Sequence, residues 1–169
     1  MYTLSETSLK MLKGVHPNLV NFMAELIKIS PWNFKITTGV RTSEEQNRLY
    51  QKGRTAPGAK VINVDGYKLK SNHQIKYDGL GYAADIGVLV TEKVIEKVKE
   101  NGKEVEKEIE KTIYKGSWRD FHYYQDIYNT AKKAGLLEKY GIEWGGNCWR
   151  TFKDAPHWQI KGADRVAYK

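Results

Sequence analysis

The stretch "SNHQIKYDGLGYAAD", residues 71–85, sets a histidine and acids among glycines and alanines in a chain otherwise crowded with lysine. Two chemistries compete for it. His73 and Asp85 are partners on a metal, or the segment is a polar loop running into a buried strand. Catalytic zinc normally takes three protein ligands from His, Asp or Glu and leaves a fourth position to water. Cys148 is the only cysteine, which excludes an internal disulfide and a multi-thiolate zinc site. Any metal must therefore use His, Asp or Glu. Of the four histidines, His16 precedes Pro17 at a predicted helix start, where capping or surface exposure explains it. His122 falls in an aromatic helical stretch, where packing or exposure does. His73 and His157 remain, each in a run of polar residues with a tight turn and then an apolar strand. A folded sheet easily joins ligands from strand ends far apart in sequence. Composition alone nevertheless leaves the structural and the metal-binding readings both standing.

The elements that must position these residues are partly legible. Leu19, Phe22, Met23, Leu26 and Ile27 recur at the spacing of one helix face, with Pro17 suited to the first turn. Residues 34–38 alternate as a strand. Thr42 followed by Glu45 is a capping-box signature for a helix that Gly53 would stop. Residues 55–73 carry turn formers at both ends and predict a surface-crossing loop, after which "AADIGVLV" predicts a buried strand. The charged block "TEKVIEKVKENGKEVEKEIEK" is ambiguous, because Val105, Ile109 and Ile113 fit a helix stripe or one face of a strand. Asn101-Gly102 favours a two-residue hairpin turn, Glu and Lys favour helix, and the hairpin is preferred. Residues 118–137 have helical spacing at Phe121, Tyr124, Ile127 and Ala131, with Gly135 as terminator.

A chain of 169 residues is long enough for one domain with a sizeable core. No apolar run approaches the roughly 18 residues of a membrane helix, so no membrane insertion is expected. The amino terminus lacks the pattern of a signal peptide, which predicts synthesis in a cytoplasm. A net charge of +8 and a pI near 9.4 favour anionic partners: nucleic acid, lipid head groups or bacterial envelope polymers. No recognition helix or aromatic–basic sheet motif supports nucleic acid.

The order Ser71-x-His73, Gly81-x-Ala83-x-Asp85 and Asp154-x-x-His157-Trp158 resembles the zinc peptidases of bacterial cell walls that include D-Ala-D-Ala dipeptidases and carboxypeptidases. It is closer to the L-alanyl-D-glutamate peptidases used as phage endolysins. Supporting stretches are "VHPNLVNFMAELI", "ITTGVRTSEEQNRLYQKGRTAPG", "DGYKLKSNH" and "WGGNCWRTFKDAPHWQ", so the resemblance covers most of the chain outside the charged block. It implies that His73, Asp85 and His157 bind one Zn²⁺ and that Asp154 is the general base. It implies further that Arg41 binds a substrate carboxylate or the developing oxyanion, with Gln46 and Ser71 lining the same cleft. For Arg41 the competing reading is a salt bridge to Glu44 or Glu45. The family pattern sets its His and Asp closer together than the twelve positions between His73 and Asp85, which makes Asp78 a rival ligand. Asp85 is preferred because it follows Gly-x-Ala-x and runs straight into an apolar strand. The base is Asp154 where many relatives carry Glu.

The expected fold is α+β. Residues 1–169 would form a single peptidase domain with a small antiparallel sheet, helices packed on one side and a charged hairpin inserted at about 90–117. The expected function is a monomeric zinc endopeptidase that cuts the L-Ala–D-Glu bond of the peptidoglycan stem peptide at the wall or periplasm after release, lysing the host. No separate wall-binding domain is evident, which suits lysins of Gram-negative hosts. A D-Ala-D-Ala carboxypeptidase or dipeptidase would share the zinc site. A non-catalytic wall-binding module is disfavoured by Asp154.

Overall fold

The computed structural model describes residues 1–60, 62–148 and 153–169; residues 149–152 of the stretch "WGGNCWRTFKDAPHWQ" lie outside the described residues. Helix α1 (Glu6–Met11) is followed by α2 (Pro17–Ile29), in which Pro17 takes the first turn and His16 is the N-cap, its Nδ1 accepting from the Asn18 amide. The apolar stripe of α2 buries Leu19, Phe22, Met23, Leu26 and Ile27, each worth about 1.5–3 kcal/mol of apolar transfer. Strand β1 (Asn33–Thr38) leads into α3 (Ser43–Gln51), where the Thr42–Glu45 capping box forms in both directions.

Strand β2 (Ala83–Glu100) and strand β3 (Lys103–Lys115) form a long antiparallel hairpin. Its turn is Asn101-Gly102, with φ of 48° and 78°, the left-handed pair that a tight hairpin turn requires. Cross-strand pairing resolves the ambiguity of the charged block. Val94 faces Ile109 and Val98 faces Val105, while Glu92 faces Lys111 and Glu96 faces Lys107. Period-two burial and opposite-charge neighbours reward the strand more than the helix propensity of Glu and Lys rewards a helix.

After a 3₁₀ turn at Trp118–Asp120 come α4 (Phe121–Lys133) and α5 (Leu136–Tyr140), separated by Gly135 in the left-handed region (φ 72°). The helix expected in 118–137 ends at the expected terminator, Gly135, whose left-handed φ cannot continue it; its first residues form the 3₁₀ turn and its last ones begin α5. Strand β4 (Ile142–Trp144), the short helix α6 (Gly145–Cys148) and strand β5 (His157–Ile160) complete the chain.

The sheet is antiparallel throughout, in the order β1–β2–β5–β4. β1 covers one edge of β2, and the other edge is taken by β5 at Ala83–Asp85 and then by β3 from Val88 onward. The architecture is α+β. Alternation divides the two faces: Ala84, Ile86, Val88, Trp144 and Trp158 join α2 and α4 in the apolar core, while Asp85, His157 and Gln159 point the other way. That second face is covered by the irregular segment 71–82, whose Asn72 and His73 reach Gln159 and His157.

Candidate metal centre

Asp85 and His157 are cross-strand partners at the start of β2 and β5, so the pleat puts their side chains on one face, side by side. Opposite Asp85 the β1 register shifts between Ile36 and Thr38. Thr37 is the extra residue, and its hydroxyl donates to the Asp85 carbonyl. A bulge here bends β1 and leads to Gly39, whose carbonyl meets His73 Nδ1 at 2.8 Å. A Cβ on Gly39 would sit 1.9 Å from the Met11 carbonyl oxygen, so only glycine permits this approach. The His73 backbone is held from the other side by the Arg41 amide, which donates to its carbonyl. Ser71 Oγ accepts from the His73 amide at 3.4 Å.

Three ligand atoms converge. His73 Nε2 and His157 Nδ1 lie 3.3 Å apart, and each is 3.2 Å from Asp85 Oδ1. A carbonyl only accepts, so Gly39 requires the proton of His73 on Nδ1 and leaves Nε2 bare. His157 Nε2 lies 2.9 Å from Gln159 Oε1, which likewise leaves Nδ1 bare. Two lone pairs and a carboxylate oxygen that point at one spot repel one another unless a cation stands between them. A tetrahedral zinc with bonds of about 2.0–2.2 Å spaces its donors roughly 3.3–3.6 Å apart, close to the triangle observed. The residues present fit such an ion.

The electrostatics agree. Burial works against the ionised carboxylate of Asp85, but in the metal-free protein the charge and hydrogen bonds that His73 and His157 offer when protonated outweigh it and hold its pKa well below the ordinary range. For His157 burial works against the charged ring, and the Asp85 hydrogen bond and charge prevail to raise it. The centre attracts positive charge, as a proton or as a metal. Asp154 lies half-buried beside it, and burial together with the Asp85 charge raises its pKa, against the pull of His157, His73 and Arg41.

Arg41 pairs with neither Glu44 nor Glu45. Its Nη2 is 3.4 Å from Asp85 Oδ2 and its Nη1 donates to Gln46 Oε1 at 2.7 Å, so Asp85 gives one oxygen to the metal corner and one to arginine. Glu45 is spent on the α3 cap. Gln46 is buried, and its Nε2 donates to the Val64 carbonyl. Asp78 is directed elsewhere: its carboxylate accepts from the Tyr82 hydroxyl at 2.8 Å and from the Leu80 amide, and it is not among the converging groups. Gln159, Asn72 and the Gly39 carbonyl were not singled out from the sequence. The His-x-Gln spacing on a strand puts Gln159 on the ligand face and was a readable signal; the Gly39 contact, made across the fold, had none.

A family model for phage L-alanyl-D-glutamate peptidases matches residues 1–68. This segment includes Arg41 and Gln46 but none of the three converging ligands. The chain is similar to the peptidoglycan L-alanyl-D-glutamate endopeptidase CwlK of Bacillus subtilis, 28% identical over 150 residues, with 86% of this chain and 73% of CwlK covered. Its fold is similar to the crystal structure of the Serratia marcescens L-Ala D-Glu endopeptidase ChiX, at a TM-score of 0.60 and 23% identity, covering 97% of this chain and 94% of that one. The family model and both of these proteins carry the same description, an L-alanyl-D-glutamate peptidase.

Proposed function

We propose that this protein is a zinc-dependent endopeptidase that hydrolyses the L-Ala–D-Glu bond of peptidoglycan stem peptides, with His73, Asp85 and His157 holding one Zn²⁺. The observation that carries the proposal is the convergence of three potential ligand atoms at 3.2–3.3 Å; the name of CwlK supports the substrate. Zinc held there would acidify the attacking water and polarise the scissile carbonyl. Asp154 would act as the general base, taking a proton from the attacking water and returning it to the leaving amine. Arg41, clamped between Gln46 and Asp85, turns its remaining N–H donors to the substrate carboxylate or to the oxyanion. Gln46 acts by bracing Arg41, and Ser71 by holding the His73 turn at the cleft edge.

In this reading the protein works as a monomer on the wall and its physiological role is host lysis. The positive net charge suits an anionic envelope, and among the described residues no helix is long and apolar enough to cross a membrane. Digestion of purified peptidoglycan, with and without a chelator, followed by mass determination of the released fragments, tests the proposal. Chelator-sensitive release of fragments cut between L-Ala and D-Glu is expected. Loss of terminal D-Ala alone would make the protein a carboxypeptidase, and binding without cleavage would make it a wall-binding module.

A further inference from the structure

Behind His157, away from the metal corner, runs a chain of buried polar side chains that the chemistry above does not use. Lys76 is 0% exposed, Gln159 1% and Asn72 7%. Lys76 Nζ also sits 3.3 Å from the centroid of the Tyr168 ring. Burial draws its pKa down to about 8 in spite of Asp164, so its ammonium is held there against a desolvation cost.

The orientation of each group in this chain follows from the charged groups at its ends. Lys76 can only donate, and its Nζ lies 2.8 Å from Asn72 Oδ1. Asp164 accepts from Asn72 Nδ2 at 2.7 Å. A cation and a carboxylate thus decide which end of the Asn72 amide is which. Asn72 Nδ2 also donates to Gln159 Oε1 at 3.0 Å, and Gln159 Nε2 donates to Glu143 at 2.6 Å. A flipped Gln159 would set oxygen against carboxylate and amine against amine. Its Oε1 is therefore turned as an acceptor toward His157 Nε2, at 2.9 Å.

We infer that Gln159, oriented by Asn72 and through it by Lys76, is a positioning residue that fixes the His157 tautomer with Nε2 protonated and Nδ1 bare for the metal. The buried lysine then has a role: it polarises the relay that ends at the ligand. An acceptor that holds the second nitrogen of a metal-bound histidine commonly contributes 10- to 100-fold in metal affinity. The inference rests on the metal reading above.

Two measurements on the full chain test it. Proton–nitrogen correlation spectra of the metal-free protein, at a pH where the imidazole is neutral, read the His157 tautomer directly. Competition with a chromophoric chelator reads the zinc affinity of wild type, Gln159→Met and Lys76→Met. Expected are an Nε2-protonated His157 in the wild type, a mixed tautomer with roughly 10- to 100-fold weaker zinc binding in Gln159→Met, and a smaller loss in Lys76→Met. An Nδ1-protonated wild-type ring overturns the inference even if a variant fails to fold. Unchanged zinc affinity in a folded Gln159→Met overturns it as well. A wild type that binds no zinc would sink the metal reading instead, and the tautomer would still be judged by the spectrum. A purely structural role would lower thermal stability and leave the wild-type tautomer unselected.

Discussion

Replacing Asp154 by Asn keeps the size of the side chain and removes only its capacity to accept a proton. The carboxylate is not among the three converging donors, so the variant should retain zinc. Loss of a general base costs about 10²- to 10⁴-fold in kcat, and the lower bound corresponds to about 2.7 kcal/mol of transition-state stabilisation. KM should change little, because the lost interaction belongs to the transition state. The pH dependence has a definite sign. In the metal-free protein the Asp154 pKa is raised, first by burial and then by the Asp85 charge; with or without metal, only its ionised form accepts the proton. Activity should therefore rise with pH along an acidic limb belonging to Asp154 and the ligand site as a coupled unit, and the limb should shift or vanish in Asp154→Asn. In the metal-free protein the same raised pKa means that the folded state binds this proton more tightly than the unfolded state. Its contribution to stability is present below the unfolded value near 3.8 and is lost as pH rises through the folded value. Metal-free Asp154→Asn should accordingly be no less stable than wild type at neutral pH. Assay on purified peptidoglycan, with zinc content and thermal unfolding measured in parallel, decides the matter. A variant that cleaves at near wild-type rate removes the general base from the mechanism, and one that loses zinc makes Asp154 a ligand.

Four further outcomes are expected. His73→Ala or His157→Ala should lose both zinc and activity, since two remaining donors hold the ion poorly; full occupancy by metal analysis in either would show the wrong ligands were chosen. Asp85→Ala should lose zinc while Asp78→Ala keeps it, as metal analysis reads, because the Asp78 carboxylate is engaged by Tyr82 and Leu80 instead. Arg41→Lys keeps the charge but cannot bridge Gln46 and Asp85 at once; a drop of roughly tenfold or more in kcat/KM is expected, and an unchanged value would leave the arginine fork without a role. Replacing residues 92–111 by an Asn-Gly turn should leave zinc content and peptidoglycan cleavage intact, because β1 and β5 pair with β2 only up to Leu89 and exposed ion pairs such as Lys93–Glu108 contribute about 0–1 kcal/mol each.

Much of this was legible where a signal was local. The α2 stripe, the Thr42–Glu45 box and the Asn101-Gly102 turn each depend on residues within a few positions of one another, and each formed as its spacing implies. What escaped was decided by distant partners. "AADIGVLV" reads as a short buried strand, yet β2 continues unbroken from Ala83 into the charged hairpin, because nothing around Thr91 turns the chain and β3 pairs with it from Val88 onward. Residues 55–73 read as a loop crossing the surface, yet Asn72 and His73 at its end are buried, as are Gln74 and Lys76 just beyond. Their partners come from β5, from Gly39 and from the C-terminal Asp164 and Tyr168, and no local pattern announces such matches.

The placement of Asp85 and His157 on one face depends on residues that do no chemistry. Ala84 and Ile86 flank Asp85, and Trp158 follows His157, all in the apolar core. A slip of one residue between β2 and β5 would drive both candidate ligands into that core and expose the apolar set. The cost is prohibitive: the Trp158 side chain alone removes on the order of 150–250 Å² from water, and two unpaired charges would take its place. The core therefore selects the register, and the register delivers the donors. On the opposite face the segment 71–82 supplies the third donor and the polar relay, tied down where the Tyr82 amide donates to the Asn72 carbonyl and the Gly81 amide to Gly14. Hydrophobic burial on one side of the sheet and satisfied hydrogen bonds on the other converge on the same spot, so the centre needs no flexible loop to assemble it. The register of the sheet and the segment that covers it together hold the three potential ligand atoms within 3.3 Å of one another.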